Sequence, residues 1–246
     1  MTSSPRILER PSPNHDARTP GVPVDILVLH YTGMTSAQAA IDRLTDPAAK
    51  VSAHYTVDDD GTVYAHVDEA RRAWHAGVSH WAGASDINAR SIGIEIVNPG
   101  HEFGYVDFSH KQIEAVIALS LGVVARHAIP AARVLAHSDV APARKQDPGE
   151  KFPWQELAHR SIGLWSSAHG GNEPFLREGD AGAEVADLQT RLARFGYGLS
   201  PTGTFDSATA LVVTAFQRHY RPHLLDGQAD AQTQARLSNI LEMARL

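Results

Sequence analysis

The sequence predicts an α/β domain with a mixed sheet and flanking helices, followed by a small all-α domain of three helices. Over about the first 165 of the 246 residues, apolar runs alternate with segments of helical periodicity, which is typical of layered sheets and helices. From about residue 174 only helical periodicity remains. A small, polar stretch separates the two patterns, so we predict domains at 1–165 and 174–246, joined by a linker at 166–173.

Strand signals recur through the first domain. Residues 24–31 form a continuous apolar run with β-branched side chains, as in a buried strand. Residues 53–57 and 62–67 flank the sequence Asp-Asp-Asp-Gly at 58–61, a turn signal that indicates a hairpin. Residues 91–97 alternate in side-chain type, which indicates a further strand.

The other periodic segments predict helices. In the first domain they are 36–44, 109–127 and the aromatic-anchored 154–165. In the second domain a helix over 183–195 is stopped by Gly-Tyr-Gly, a second carries Leu211 to Phe216, and a third covers 231–241. Three short helices fit a small bundle, which is marginal alone but adequate when tethered.

Composition excludes several functional classes. The formal net charge is −6 and no basic block stands out, so we expect no nucleic-acid partner. The absence of cysteine excludes disulfides, a thiolate nucleophile and cysteine-ligated zinc. No stretch approaches the roughly 20 apolar residues of a membrane span, and residues 1–25 lack the apolar core of a secretory signal. We therefore expect no membrane span and a cytoplasmic location as encoded.

Three residues suggest a metal centre. His30 and His137 each end an apolar run, which suits rigid presentation of a ligand. Asp147 lies in a stretch that cannot be helical through Pro148. Two imidazoles and one carboxylate form a three-ligand zinc set that leaves a fourth position open for water. The alternative for any single histidine is a core or surface role, because most of the 14 histidines cannot be ligands.

Six motifs occur in order between residues 28 and 149. They are Val-Leu-His-Tyr-Thr at 28–32, Ser-Ala-His-Tyr at 52–55, Trp-His-Ala-Gly at 74–77, Gly-Ile-Glu-Ile-Val-Asn at 93–98, Ala-His-Ser-Asp at 136–139 and Lys-x-Asp-Pro-Gly at 145–149. Together they closely resemble the zinc-dependent N-acetylmuramoyl-L-alanine amidases of the amidase-2 group, which share a fold with the peptidoglycan recognition proteins. The resemblance spans about residues 10–160.

This resemblance implies a role for each matching residue. His30, His137 and Asp147 match the ligands of one zinc ion per chain. Glu95 matches the catalytic carboxylate, and Lys145 matches the basic residue that steadies the developing oxyanion. From the residues alone, a solvent-facing strand Glu and a solvated loop Lys stay open as alternatives. Four further matches are candidate substrate contacts, for which a structural role is equally open: His54, Tyr55, His75 and Asn98.

The second domain resembles the three-helix peptidoglycan-binding module found beside many wall hydrolases, over about residues 174–240. Its matching positions, such as Gly-Thr-Phe-Asp at 203–206 and Asp-Gly at 226–227, are mostly turn formers and core residues. They therefore indicate the fold more than the binding contacts. The resemblance includes a periplasmic branch of the family that often carries this module, so the periplasm or cell envelope is the alternative location.

Both resemblances imply an enzyme that acts on peptidoglycan or muropeptides. It would hydrolyse the amide between L-alanine and N-acetylmuramic acid, or its 1,6-anhydro form, in cell-wall turnover or recycling. The alternative is a non-catalytic peptidoglycan recognition protein, although such relatives usually lack a metal ligand. The motifs His-Glu-x-x-His and Gly-x-Ser-x-Gly are missing, which argues against a zincin and a serine hydrolase. The resemblance leaves the oligomeric state open.

Overall fold

The structure is a computed structural model that describes residues 6–246, so the first five residues of the predicted domain 1–165 lie outside the described part. Its strands are β1 (Ile7–Glu9), β2 (His15–Ala17), β3 (Ile26–Tyr31), β4 (Tyr55–Val57), β5 (Val63–Ala65), β6 (Arg71–Ala73), β7 (Ser91–Ile96) and β8 (Val134–Ala136). Six of these strands form the central sheet in the order β1-β5-β4-β7-β3-β8, and β2 pairs with β6 as a separate antiparallel ribbon.

The central sheet is mixed, as the sequence predicts. β3 lies between β7 and β8 and is parallel to both, while β4 is parallel to β7 but antiparallel to β5. The turn between β4 and β5 closes at Gly61, whose φ of 86° is in the left-handed region that glycine tolerates. A parallel strand inside a sheet with packed elements on both faces is buried on both sides, which explains the unbroken apolar run of β3.

The helices are α1 (Ala37–Thr45), α2 (Gly100–Phe103), α3 (His110–His127), α4 (His137–Val140), α5 (Trp154–His159), α6 (Ala183–Phe195), α7 (Ser207–Tyr220) and α8 (Ala231–Ala244). The prediction for 154–165 is wrong in its second half, because Ser161 and Gly163 adopt φ values of 63° and 79°, which a right-handed helix cannot contain. The single turns α2 and α4 are too short to show periodicity. Within residues 6–246, no helix has the length and apolar character needed to cross a bilayer.

The two faces of the central sheet are covered by different parts of the chain. Leu27 of β3 shares a buried apolar cluster with Val116 of α3. Its neighbour Val28 points to the other face and belongs to a second cluster, which also contains Leu188 of α6 and Phe216 of α7. The C-terminal three-helix unit, residues 174–246, thus shares a continuous core with the sheet. The exact domain boundaries stay a prediction.

Candidate active site

Strand pairing places His30 beside Glu95. The two are register partners on the parallel strands β3 and β7, so their side chains leave the sheet on the same face. His30 is almost fully buried and Glu95 is partly buried. Ile94 and Ile96 alternate with Glu95 and are both buried in the core, so Glu95 points away from them.

His137 and Asp147 come from the segment that follows β8. Because β8 pairs with β3, its end delivers His137, the first residue of α4, to the side of His30. The chain then turns back, and the Ser138 amide donates a hydrogen bond to the Asp147 carbonyl oxygen at 3.0 Å. The three predicted ligands are therefore brought together, and all three are buried.

Their ligand atoms form a small triangle. The Nδ1 atoms of His30 and His137 are 2.9 Å apart, and Asp147 Oδ2 lies 3.1 Å and 2.9 Å from them, respectively. Tetrahedral zinc with bonds of about 2.0–2.1 Å holds its ligands about 3.3 Å apart. The triangle therefore has nearly the dimensions of three zinc ligands.

An outer hydrogen bond fixes the tautomer of His137. Its Nε2 lies 3.1 Å from the carbonyl oxygen of Ala76, which can only accept a hydrogen bond. Nε2 therefore carries the proton of the neutral ring, and Nδ1 presents a lone pair toward Asp147.

A longer chain of hydrogen bonds does the same for His30. The Ser91 hydroxyl donates to the Ile87 carbonyl oxygen at 2.7 Å, so its own oxygen accepts from His75 Nε2 at 3.1 Å. His75 Nδ1 then accepts from His30 Nε2 at 3.0 Å, which leaves His30 Nδ1 without a proton. Two lone pairs and a carboxylate oxygen thus converge with no proton between them, and such a donor set fits a divalent cation, zinc above all.

The pKa shifts of the buried groups bear on whether they take the protonation states that metal binding requires. Burial, and then repulsion from His137 whenever that ring is protonated, lower the pKa of His30 to about 4. Burial and the neighbouring His30 hold the pKa of His75 well below its usual range. Burial opposes ionisation of Asp147, but the positive charge that the neighbouring His137 and His30 rings carry when protonated outweighs burial and holds the Asp147 pKa below its usual range. With both rings neutral, a divalent cation bound beside Asp147 would supply that positive charge instead. Neutral imidazoles and an ionised carboxylate are the forms that bind a metal.

Glu95 differs from the ligands because one of its oxygens is unused. Its Oε2 is buried and has no hydrogen-bond partner among the described residues. Burial, and then the negative charge of Asp147, raise the pKa of Glu95 well above its usual value, while Lys145 opposes the rise. A carboxyl group with a raised pKa can exchange a proton near neutral pH.

A cleft of about 690 Å³ opens over these groups. His137, Asp147, Glu95 and Lys145 all line it, and so does His75. Clefts of this volume hold ligands of several hundred daltons and fix them with a few polar groups.

Three of the four predicted substrate contacts do not line this cleft. Both ring nitrogens of His54 contact backbone groups, and the Tyr55 hydroxyl donates to the Glu69 carboxylate at 2.8 Å. The Asn98 side chain is held by backbone groups through its nitrogen and its oxygen. Only His75 reaches the cleft. The hydrogen bonds of His54, Tyr55 and Asn98 indicate a structural role for these residues. Their contact with substrate stays a prediction, which this geometry does not support.

Sequence reasoning missed Arg144. Its Nη2 donates to the carbonyl oxygens of Ala76 and Val78 at 2.7 Å and 2.8 Å, and it lines the cleft next to Lys145. Arg144 therefore steadies the loop whose Ala76 carbonyl orients His137. The only signal in the sequence was the pair of adjacent basic residues at 144–145. The group that orients His137 is a backbone carbonyl, which every residue type has, so the sequence cannot indicate it.

Comparison with protein families decides the identity. The family model described as N-acetylmuramoyl-L-alanine amidase matches residues 20–150, which is more than half of the chain. The chain belongs to this amidase family. A model of a peptidoglycan binding domain matches residues 181–237 of the amidase, inside the three-helix unit.

Individual relatives agree with the family match. The amidase is 39% identical over 234 residues to the N-acetylmuramoyl-L-alanine amidase AmiD of Escherichia coli K12, covering 89% of this chain and 83% of AmiD. It is 33% identical over 161 residues to the 1,6-anhydro-N-acetylmuramyl-L-alanine amidase AmpD of the same strain, covering 58% of this chain and 86% of AmpD.

Solved structures extend the match to the fold. A complex of the E. coli AmiD aligns with a TM-score of 0.79 at 36% identity and covers 92% of both chains. AmpDh3 from Pseudomonas aeruginosa aligns with a TM-score of 0.76 at 32% identity, covering 95% of this chain and 98% of AmpDh3. The predicted fold class and enzyme class are confirmed. The alternative of a non-catalytic recognition protein is wrong, because relatives along nearly the whole chain are named amidases.

Proposed function

We propose that the amidase cleaves the bond between L-alanine and N-acetylmuramic acid, or its 1,6-anhydro form, with one zinc ion held by His30, His137 and Asp147. The observation that carries this proposal is the proton-free convergence of two Nδ1 atoms and one carboxylate oxygen within 3.1 Å. Buried lone pairs in this arrangement repel one another unless a cation lies between them.

The residues of the cleft divide the rest of the chemistry. When bound, zinc supplies Lewis acidity and makes water nucleophilic near neutral pH. Glu95 takes a proton from the attacking water and returns it to the nitrogen of L-alanine as the amide bond breaks. Lys145, on the cleft wall, supplies positive charge to the carbonyl oxygen as negative charge develops there.

Two solved relatives support the substrate class. The AmiD complex holds anhydro-N-acetylmuramic acid-L-Ala-D-gamma-Glu-L-Lys, and a complex of AmpDh3, with a TM-score of 0.73 at 31% identity, holds an anhydromuramic pentapeptide. The cleft of about 690 Å³ has room for a sugar and the first residues of a stem peptide. We therefore propose that anhydromuropeptides are substrates of this chain. The match of the three-helix unit to a peptidoglycan binding domain supports a role for that unit in contacting longer wall fragments.

Metal content and hydrolysis test the proposal together. The zinc content of wild type is measured by mass spectrometry, and peptide release is followed from an anhydromuropeptide and from intact sacculi. We expect one zinc ion per chain, and we expect His30→Ala to lose both the zinc and the cleavage of either substrate. Cleavage by wild type that persists after chelation of all metal would overturn the proposal.

His66 offers a matched control. It is another buried histidine of the same domain, but its Nδ1 contacts the Arg10 carbonyl oxygen and its Nε2 contacts the Thr56 hydroxyl. Folded His66→Ala should keep its zinc, since neither nitrogen faces the ligand triangle. Equal zinc loss in both variants would show that the effect of His30→Ala is not specific to ligation.

A further inference from the structure

The segment that carries His137 is attached to the three-helix unit through a buried carboxylate. Asp139, two residues after His137 in α4, is almost fully buried. It accepts hydrogen bonds from the Tyr197 hydroxyl and from His219 Nδ1, both at 2.7 Å, and from the Ala136 amide at 2.8 Å. Two of the three donors therefore come from the three-helix unit.

Helix α7 also reaches the segment that carries Asp147. Arg218 pairs with Glu150, three residues after Asp147, at 3.7 Å. The next residue of α7, His219, stacks on Trp154 with ring centroids 3.7 Å apart. Arg218 of α7 thus contacts the segment that carries Asp147. Its neighbour His219 contacts the segment that carries His137, through Asp139.

A close backbone approach fixes the position of the unit. Trp81, from the loop after the Trp-His-Ala-Gly motif, packs edge-on against Phe195 and Tyr197. A Cβ atom at Gly196 would collide with the Trp81 ring, and the Gly196 carbonyl accepts from the Ala82 amide at 2.8 Å. Tyr197 directly follows Gly196. The tight packing of Gly196 against Trp81 therefore fixes the position of Tyr197 beside Asp139.

We infer that the three-helix unit is a positioning element of the amidase site, and that Tyr197 and His219 hold α4 so that His137 Nδ1 stays in the ligand triangle. This inference rests on the proposed zinc site. The physical reason is that α4 is a single turn of four residues, which has no stability of its own. Tertiary contacts must supply its orientation, and the Asp139 hydrogen bonds are polar contacts that do so directly.

Zinc affinity, measured by competition with a chromophoric chelator, tests the inference without relying on turnover. Tyr197→Phe removes one hydroxyl and preserves the ring, and His219→Leu removes the second donor. We expect each variant to bind zinc about 10-fold more weakly, at the lower end of the loss typical when a direct partner of a metal ligand is removed, because Tyr197 and His219 act on His137 through Asp139. His219→Asn, which keeps an N–H donor near the position of Nδ1, should recover most of the affinity.

Gln189→Leu is the matched control, because Gln189 is fully buried and its hydrogen bonds stay within the three-helix unit. It should lower the melting temperature yet leave zinc affinity within about twofold of wild type, well short of the outer-partner effect. Unchanged zinc affinity in Tyr197→Phe and His219→Leu, or an equal loss in Gln189→Leu, would overturn the inference while leaving the zinc site intact. Wild type that binds no zinc would instead overturn the proposed function, and this inference with it.

Discussion

Asp139 and Asp147 are two buried carboxylates on one segment of the chain, and their surroundings are opposite. Asp139 meets three donors, from Ala136, Tyr197 and His219. Asp147 meets two imidazole nitrogens whose ring protons are committed to other partners. The donors satisfy the hydrogen-bonding capacity of the Asp139 carboxylate. The Asp147 carboxylate faces lone pairs instead, and only a cation between them would offset the repulsion. Asp139 and Asp147 are buried to nearly the same extent. The number of hydrogen-bond donors that face each carboxylate therefore distinguishes the structural one from the candidate metal ligand.

Glu95 extends this comparison to a third carboxylate and gives the largest expected effect. Glu95→Gln keeps the shape of the side chain but cannot accept a proton from water. We expect kcat/KM on an anhydromuropeptide to fall about 100- to 10,000-fold. Zinc content should stay at the wild-type level, because Glu95 is not one of the three ligands. Wild-type turnover, or zinc loss in parallel with activity, would contradict this role.

The two aspartates can be compared directly in metal-free protein. Asp139→Ala leaves three buried donors without an acceptor, so we expect it to lower the free energy of unfolding by about 3–5 kcal/mol. Asp147→Ala leaves no donor unpaired, because the ring N–H groups of its two histidine neighbours already donate to other acceptors. We therefore expect the free energy of unfolding to change by no more than about 1 kcal/mol. Urea unfolding followed by circular dichroism, with a chelator present, measures both. Similar losses in the two variants would break the distinction.

Lys145 tests whether charge on the cleft wall acts during catalysis. Lys145→Met keeps the length of the side chain and removes its charge, so kcat should fall about 100-fold while KM changes little. Lys151→Met is the control, since Lys151 belongs to the same loop region but pairs with Asp107 and contacts Tyr105. A KM effect without a kcat effect would make Lys145 a binding residue instead.

Glu69 is a carboxylate satisfied by donors, like Asp139, but nearer the surface, and it gives the smallest effect. Burial favours its neutral form, but hydrogen bonds from Arg126, His127 and Tyr55 outweigh burial and hold the Glu69 pKa at about 2. Because this folded-state pKa is below the ordinary value, the stabilisation is complete above about pH 4.5 and is lost as pH falls toward 2. We expect about 2 kcal/mol, after allowance for the exposure of Arg126.

The measurement for Glu69 is the difference in unfolding free energy between wild type and Glu69→Gln. That difference should be largest near pH 6 and should shrink toward zero near pH 2. Asp187→Asn, which breaks an exposed pair with Arg191 within one helix, should show a difference below about 0.5 kcal/mol at any pH. A Glu69 difference that does not vary with pH would refute the assignment.

Much of the fold was predictable because its signals are local. The apolar run of β3, the turn at 58–61 and the periodicity of α3 each depend on neighbours a few residues away. The end of α5 was not predictable, because the left-handed backbone at Ser161 has no signature in that residue type. The ribbon of β2 with β6 was also missed, since three-residue strands are too short to show alternation.

The sequence by itself determined the family, the order of the main elements and the residues with ligand-type side chains. Only the tertiary structure decided what each of those residues contacts. It brought His30 within 2.9 Å of His137 across 107 positions, buried His54 against backbone, and closed Asp139 with donors from the three-helix unit. The physical reason is that periodicity and motifs report on near neighbours, whereas tautomers, burial and unpaired lone pairs depend on groups that only packing brings together.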